Sequence, residues 1–205
     1  MKIYKDIIQR SDEWKELKKL HLSASHAKEI VTNGKTLENY VNDLVVEFIS
    51  GVAENYTNFA MQYGIENEPL AREKANEITG LEFQEIGAVE LNNRCLVSPD
   101  GAIFDDKDNI KEICELKCPQ PKRFIEQIMT DKIPIEYIYQ MNLQMFVCNV
   151  QRCFYLAYNK DVKPYVFYKW ITPDAEIQEK LIKGLKRGSE LIDSLLFEYF
   201  EKVEK

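Results

Sequence analysis

Ser98-Pro99-Asp100-Gly101, a gap of thirteen residues, and then Glu115-Leu116-Lys117-Cys118-Pro119 form the stretch from which the fold of this chain can be read. Side chains alternate across a strand, so Glu115 and Lys117 share one face while Leu116 points into the core. Asp100 follows a proline at the turn that opens the preceding strand. If the two strands pair, two carboxylates and an ammonium converge on one spot. Carboxylate oxygens are hard ligands of the kind Mg²⁺ takes, with water and a substrate phosphate completing its shell. A lysine beside them can orient an attacking water and offset developing negative charge. This is the arrangement a metal-dependent phosphodiesterase needs. The plainer reading, a strand-end lysine paired with its neighbouring glutamate, stands beside it.

Helices are expected upstream of the pair. Ser11 is placed to cap a short helix carrying Trp14 and Leu17, and Ser23 or Ser25 a second that stops near Asn33-Gly34. Leu37, Tyr40, Val41, Leu44, Val45 and Phe48 recur at helical spacing, which predicts a third over 36–49 with Gly51 as its stop. A fourth is expected over about 58–79, ending at Gly80, with Pro69 kinking it or opening a new first turn. The period then changes. Strands are expected at 83–91, 94–97, 101–104 and 110–117, joined by Asn- and Asp-rich turns. Helices follow at 121–130 and 135–148, then strands at 152–158 and 164–171, rich in aromatic and β-branched residues. Thr172-Pro173-Asp174 opens a last helix with proline at its first position, and Ile177, Leu181, Leu185, Ile192 and Leu195 make its apolar face. This order predicts an α/β or α+β sandwich in one domain over 1–205.

Composition is consistent with that domain. The chain has 205 residues, 45% hydrophobic and 30% charged, with no basic start before an apolar segment and no apolar run of membrane-spanning length. A cytoplasmic protein with no membrane partner is expected. Five cysteines, Cys95, Cys114, Cys118, Cys148 and Cys153, form an odd set that reads as reduced thiols. Their spacing invites an iron–sulfur reading, but alternation puts Cys114 on the face opposite Glu115, which favours small buried thiols. The net charge of −7 argues against a protein that coats nucleic acid. It leaves room for a nuclease with a local basic lining, and Lys15, Lys18, Lys19 and Lys28 crowd the first thirty residues with His21 and His26. A solvated helix face is the plain alternative for those lysines.

The ordered motifs resemble the phage lambda exonuclease family of the PD-(D/E)xK nuclease superfamily. Trp14-Lys15-Glu16-Leu17-Lys18 followed by Ser23-Ala24-Ser25 is similar to that family's opening motif. Gly64 through Glu68 to Arg72 looks like its Gly-x-x-x-Glu helix, and Tyr137-x-x-Gln140-x-x-x-Gln144-Met145 like its Tyr-x-x-Gln helix. The likeness runs from about Trp14 to Val147, with the Asp100 and Glu115 pair at its centre. It implies a restriction-endonuclease-like core, a mixed sheet flanked by helices, with N-terminal helices and a long C-terminal one.

By the same resemblance, Asp100, Glu115 and the Leu116 carbonyl bind Mg²⁺, with Mn²⁺ able to substitute and two ions expected. Lys117 activates the water, Glu68 adds a carboxylate on the metal side, and Gln140 helps hold the nucleophilic water. Lys18, Ser25 and Ser98 fall where the family recognises a 5′-phosphate. Met61 falls where an apolar side chain wedges against the end base pair, and Trp14 belongs to the same DNA-facing group. Ser25 and Ser98 are also natural cap and turn residues, and Trp14 and Met61 also read as packing residues. The implied activity is 5′-to-3′ degradation of double-stranded DNA ends to 3′ overhangs, by a homotrimeric ring partnered by a single-strand annealing protein in phage recombination. One departure matters: the family's phosphate-binding arginine is Lys18 here. Lysine keeps the attraction and loses the planar, bidentate grip. Two other readings are a nuclease-fold module that binds DNA ends or proteins with weak catalysis, and an endonuclease on the same fold.

Overall fold

The computed structural model describes residues 1–52 and 59–204. Two four-stranded sheets carry the chain. In the first, β1 (Lys2–Tyr4) pairs antiparallel with β3 (Ala88–Asn92), β3 with β4 (Cys95–Val97), and β4 pairs parallel with the two-residue β2 (Leu22–Ser23). In the second, β5 (Gly101–Phe104) and β6 (Ile110–Lys117) form an antiparallel hairpin, β6 runs parallel to β7 (Cys153–Tyr158), and β8 (Val166–Ile171) closes the edge antiparallel to β7. A parallel pair needs a crossover, here the helices α5 (Pro121–Thr130) and α6 (Ile135–Cys148). The fold is mixed α+β, with helices flanking both sheets and a long C-terminal helix.

The faces of β6 divide the core. Cys114 and Leu116 pack with Phe154 and Leu156 against Ala71 and Ala75 of α4 (Phe59–Thr79). Ile113 turns to the other side, in the main cluster with Met141, Met145 and Tyr155. Glu115 and Lys117 share that second face, so the strand sends both towards α6. The remaining helices, α1 (Asp12–Lys18), α2 (Ala27–Thr32), α3 (Lys35–Ser50) and α7 (Ala175–Val203), cover the first sheet or its flank. Two glycines one turn apart on α7 allow close approach, Gly184 to α2 and Gly188 to β2. A Cβ at Gly184 would stand 2.0 Å from the Ile30 carbonyl oxygen, and one at Gly188 2.7 Å from Leu22 Cδ1. Only glycine lets the two backbones come this close.

Several expectations need correction. Residues 83–91 do not form one strand: Gln84 bridges to Ala102 of the second sheet, whereas 88–92 join the first. The chain changes sheets at Gly87, where a Cβ would lie 2.3 Å from the Ile7 carbonyl oxygen. Neither Ser23 nor Ser25 caps α2. A 3₁₀ turn, Ala24–His26, intervenes, and the Ser23 hydroxyl bonds to those of Ser25 and Tyr40. Pro69 lies inside an uninterrupted α4, so it opens no new helix, and residue 58 of the expected start lies outside the described residues. Pro173 precedes α7 rather than starting it, because Asp174 is the cap and accepts from the Ile177 amide at 3.0 Å. Strands β1 and β2 were not expected at all, being too short for a period to register.

Candidate active site

Asp100 and Glu115 meet because β5 and β6 pair. The Asp100 amide donates to the Cys114 carbonyl at 3.1 Å, which locks the Pro99-Asp100 turn to β6. Asp100 Oδ2 in turn accepts from the Leu116 amide at 2.6 Å. Glu115 is 0% exposed, and α6 supplies what a buried carboxylate needs. Gln140 Nε2 donates to Oε1 at 2.7 Å, and Gln144 Nε2 to Oε2 at 2.6 Å. Lys117 Nζ completes the set as an ion pair with Oε1. Burial disfavours the Lys117 ammonium, but Glu115 and Asp100 outweigh it and hold the pKa above the usual lysine value. Asp100 goes the other way: burial, then the Glu115 charge, raise its pKa well above the usual carboxylate value, with Lys117 opposing.

These groups open on a cleft of about 160 Å³ that Gln9, Arg10, Trp14, Lys18, Ser25 and Ser98 help to line. Lys18 crosses over the Trp14 ring at 4.3 Å, and burial lowers its pKa. Trp14 is fixed in turn: its indole Nε1 donates to Ser98 Oγ at 3.0 Å and to the Gly87 carbonyl at 3.1 Å. Since Ser98 Oγ accepts that bond, its own proton remains available to a ligand. Ser25 is exposed. The fold therefore brings Asp100, Glu115, Leu116, Lys117, Gln140, Lys18, Ser25, Ser98 and Trp14 together.

Two expected residues stand elsewhere. Met61, 53% exposed in the first turn of α4, is outside the lining of the cleft. Glu68 lines a neighbouring cavity of about 200 Å³, and its oxygens are engaged: Oε2 accepts from Arg10 at 2.6 Å and Oε1 from Arg72 at 3.1 Å. Arg72 also grips the Asp100 carbonyl through Nη2 at 3.0 Å, so Glu68 is tied to the site through Arg72, and its charge adds to those raising the Asp100 pKa. Sequence reasoning assigned no role to Gln144, Arg72, Gln9 or Arg10. Gln144 had a signal, lying one helical turn after Gln140 and so on its face. Arg10 had none, since its partner Glu68 lies 58 positions away, whereas Arg72 stands one helical turn after Glu68 on the same face.

The donor set suits a hard divalent cation. Among the described residues no group of three or more His, Cys, Asp and Glu side chains is arranged around a metal. What the cleft offers is two carboxylates, with the Leu116 backbone beside them through its amide's bond to Asp100, a sparse set that Mg²⁺ completes with water and phosphate. Burial first, and then the Glu115 charge, raise the Asp100 pKa, and a bound cation would favour the ionised form against both. The cysteines do not contribute: Cys114 is buried against Gly101, and burial also raises Cys118, to about 12.

Residues 13–151 match the model of the YqaJ-like viral recombinase domain. The chain belongs to that family. Among solved structures it is similar to an alkaline exonuclease, LHK-Exo, from Laribacter hongkongensis, with 29% identity over 93% of this chain and 99% of that one, at a TM-score of 0.79. A second structure of that exonuclease, in complex with dAMP, matches equally well. A phage-related exonuclease from Haemophilus somnus 129PT shares the fold at 15% identity and a TM-score of 0.70, covering 90% of this chain and 98% of that one. No curated protein matches the chain. As a member of this family the protein is a nuclease, and no helix among its described residues is long and apolar enough to cross a membrane.

Proposed function

We propose that the protein is a Mg²⁺-dependent exonuclease, a single nuclease domain that resects linear duplex DNA from its 5′ ends. Its products are mononucleotides and 3′ overhangs for recombination by single-strand annealing. The observation that carries this reading is the one cleft in which Asp100, Glu115 and Lys117 stand beside Lys18, Ser25 and Ser98. A relative at 29% identity that holds dAMP supports mononucleotides as products. Membership of a viral recombinase family supports the recombination role; a trimeric ring, a single-strand annealing partner and a cytoplasmic setting are part of the proposal.

Asp100, Glu115 and the Leu116 carbonyl would hold Mg²⁺, or Mn²⁺ in its place; a second ion would draw mostly on water and phosphate, because the Glu68 oxygens are bonded to arginines. The bound metal supplies Lewis-acid polarisation of the scissile phosphate and a more acidic water. Lys117 directs its ammonium at the attacking oxygen and balances charge gathering on the phosphoryl group. Gln140 and Gln144 hold the two Glu115 oxygens in one orientation, which keeps the carboxylate aimed at the cleft. Lys18 attracts the terminal phosphate, and the hydroxyls of Ser25 and Ser98 offer it neutral donors.

The test compares substrates. With Mg²⁺ the protein should digest 5′-phosphorylated linear duplex, leave covalently closed circles intact, and release a 5′ label before a 3′ label. Asp100→Ala should abolish digestion. Cutting of closed circles would assign an endonuclease instead.

A further inference from the structure

Arg10 has the left-handed backbone angle φ 71°. There a Cβ crowds its own backbone, and a bulky residue in that region is an outlier that points to function. The angle is enforced from both sides. Gln9 Nε2 donates to the carbonyls of Ile86 and Pro99 at 2.9 Å each, and the next residue, Ser11, caps α1. The enforced turn places Arg10 between the cleft, where it is the one arginine among the lining residues, and the neighbouring cavity, where its guanidinium meets Glu68 with the side chain 47% exposed. Its partner Glu68 is partly exposed and keeps a bond from Arg72 on the other oxygen, so Arg10 can let go without leaving that carboxylate unpaired.

We infer that Arg10 is a DNA-phosphate contact of this cleft, trading Glu68 for a phosphate of the bound duplex. The inference rests on the proposed nuclease function. Lys18, another cation lining the cleft, is a point charge that attracts without fixing direction. A guanidinium binds two phosphate oxygens in its own plane and so orients the strand. Arg10 supplies the direction that Lys18 lacks.

The experiment is the salt dependence of binding, read by fluorescence anisotropy with a labelled, 5′-phosphorylated blunt duplex in EDTA, on wild type, Arg10→Gly and Arg10→Gln. Glycine accepts the left-handed angle, so R10G should melt no lower than wild type while binding weakens. Glutamine keeps a hydrogen bond to Glu68 and loses the charge. In both variants the slope of log affinity against log salt should fall by about one, the share of one phosphate contact. Digestion in Mg²⁺ should show a raised KM with kcat largely kept. Unchanged slopes in both variants would overturn the inference whatever the melting temperatures do. If wild type fails to digest linear duplex, the proposed function falls instead, and the two failures are distinct.

Discussion

Lys117 neutralises a carboxylate that has no exposure to water, so it supports the fold as well as any chemistry. Lys117→Met should lower turnover about 10²-fold or more. It should also destabilise the protein by about 3–5 kcal/mol in a denaturant melt, the cost of breaking a buried pair from one side. A variant that loses turnover at wild-type stability would mean that Gln140 and Gln144 suffice to hold Glu115. Asp100 has the opposite economy. Its folded pKa is raised, so the protonated form suits the fold and the ionised form strains it. The strain is absent below the ordinary carboxylate range, near about 4, and grows as pH climbs to the raised value. Asp100→Asn keeps an acceptor for the Leu116 amide without the charge. In EDTA at neutral pH it should melt above wild type, by about 2–4 °C for each kcal/mol relieved, and the two should converge in acid. Adding Mg²⁺ should raise the wild-type melting point and leave the variant unmoved. A wild type more stable than the variant in EDTA at neutral pH would refute this account.

The α2–α7 crossing tests how elements position the site. Gly184→Ala puts a methyl group against the Ile30 carbonyl and should cost about 1–3 kcal/mol, because neither backbone can give way without the other. Its KM for DNA should also rise, since α2 follows directly on the turn that carries Ser25. Gly64→Ala is the control: it faces open space in α4 and should gain about 0.5–1 kcal/mol. Equal melting points for both variants would remove the close crossing as a determinant. Elements with a strong period were legible from sequence. α5, α6, β5 and β6 lie where their patterns predicted, and with them Asp100, Glu115, Lys117 and Gln140. The cleft's further wall was not legible in the same way. Arg10 meets Glu68 across 58 positions and Trp14 meets Ser98 across 84, and no local period encodes such pairs. The left-handed angle at Arg10 is equally silent, because nothing about an arginine announces it. The split of residues 83–91 between sheets followed from a close approach at Gly87 that only the folded chain contains.

At the scale of the molecule, a net charge of −7 leaves few cations to hold DNA. The cations that line the cleft are Arg10, Lys18 and Lys117, while Lys15 and Lys19 lie outside its lining and pair with Asp12 and Glu16. Three phosphate contacts give a slope of log affinity against log salt of about −3 for the wild-type protein in EDTA. A slope twice as steep would mean that cations beyond this cleft carry the duplex. The glycine crossing has one more consequence, in time rather than space. The turn with Ser25 leans on α2, and α2 is held by α7, which leaves the ribosome after the other described elements. A nascent chain therefore carries its acidic residues before it has a finished cleft, and the wall with Ser25 settles only once synthesis has passed α7.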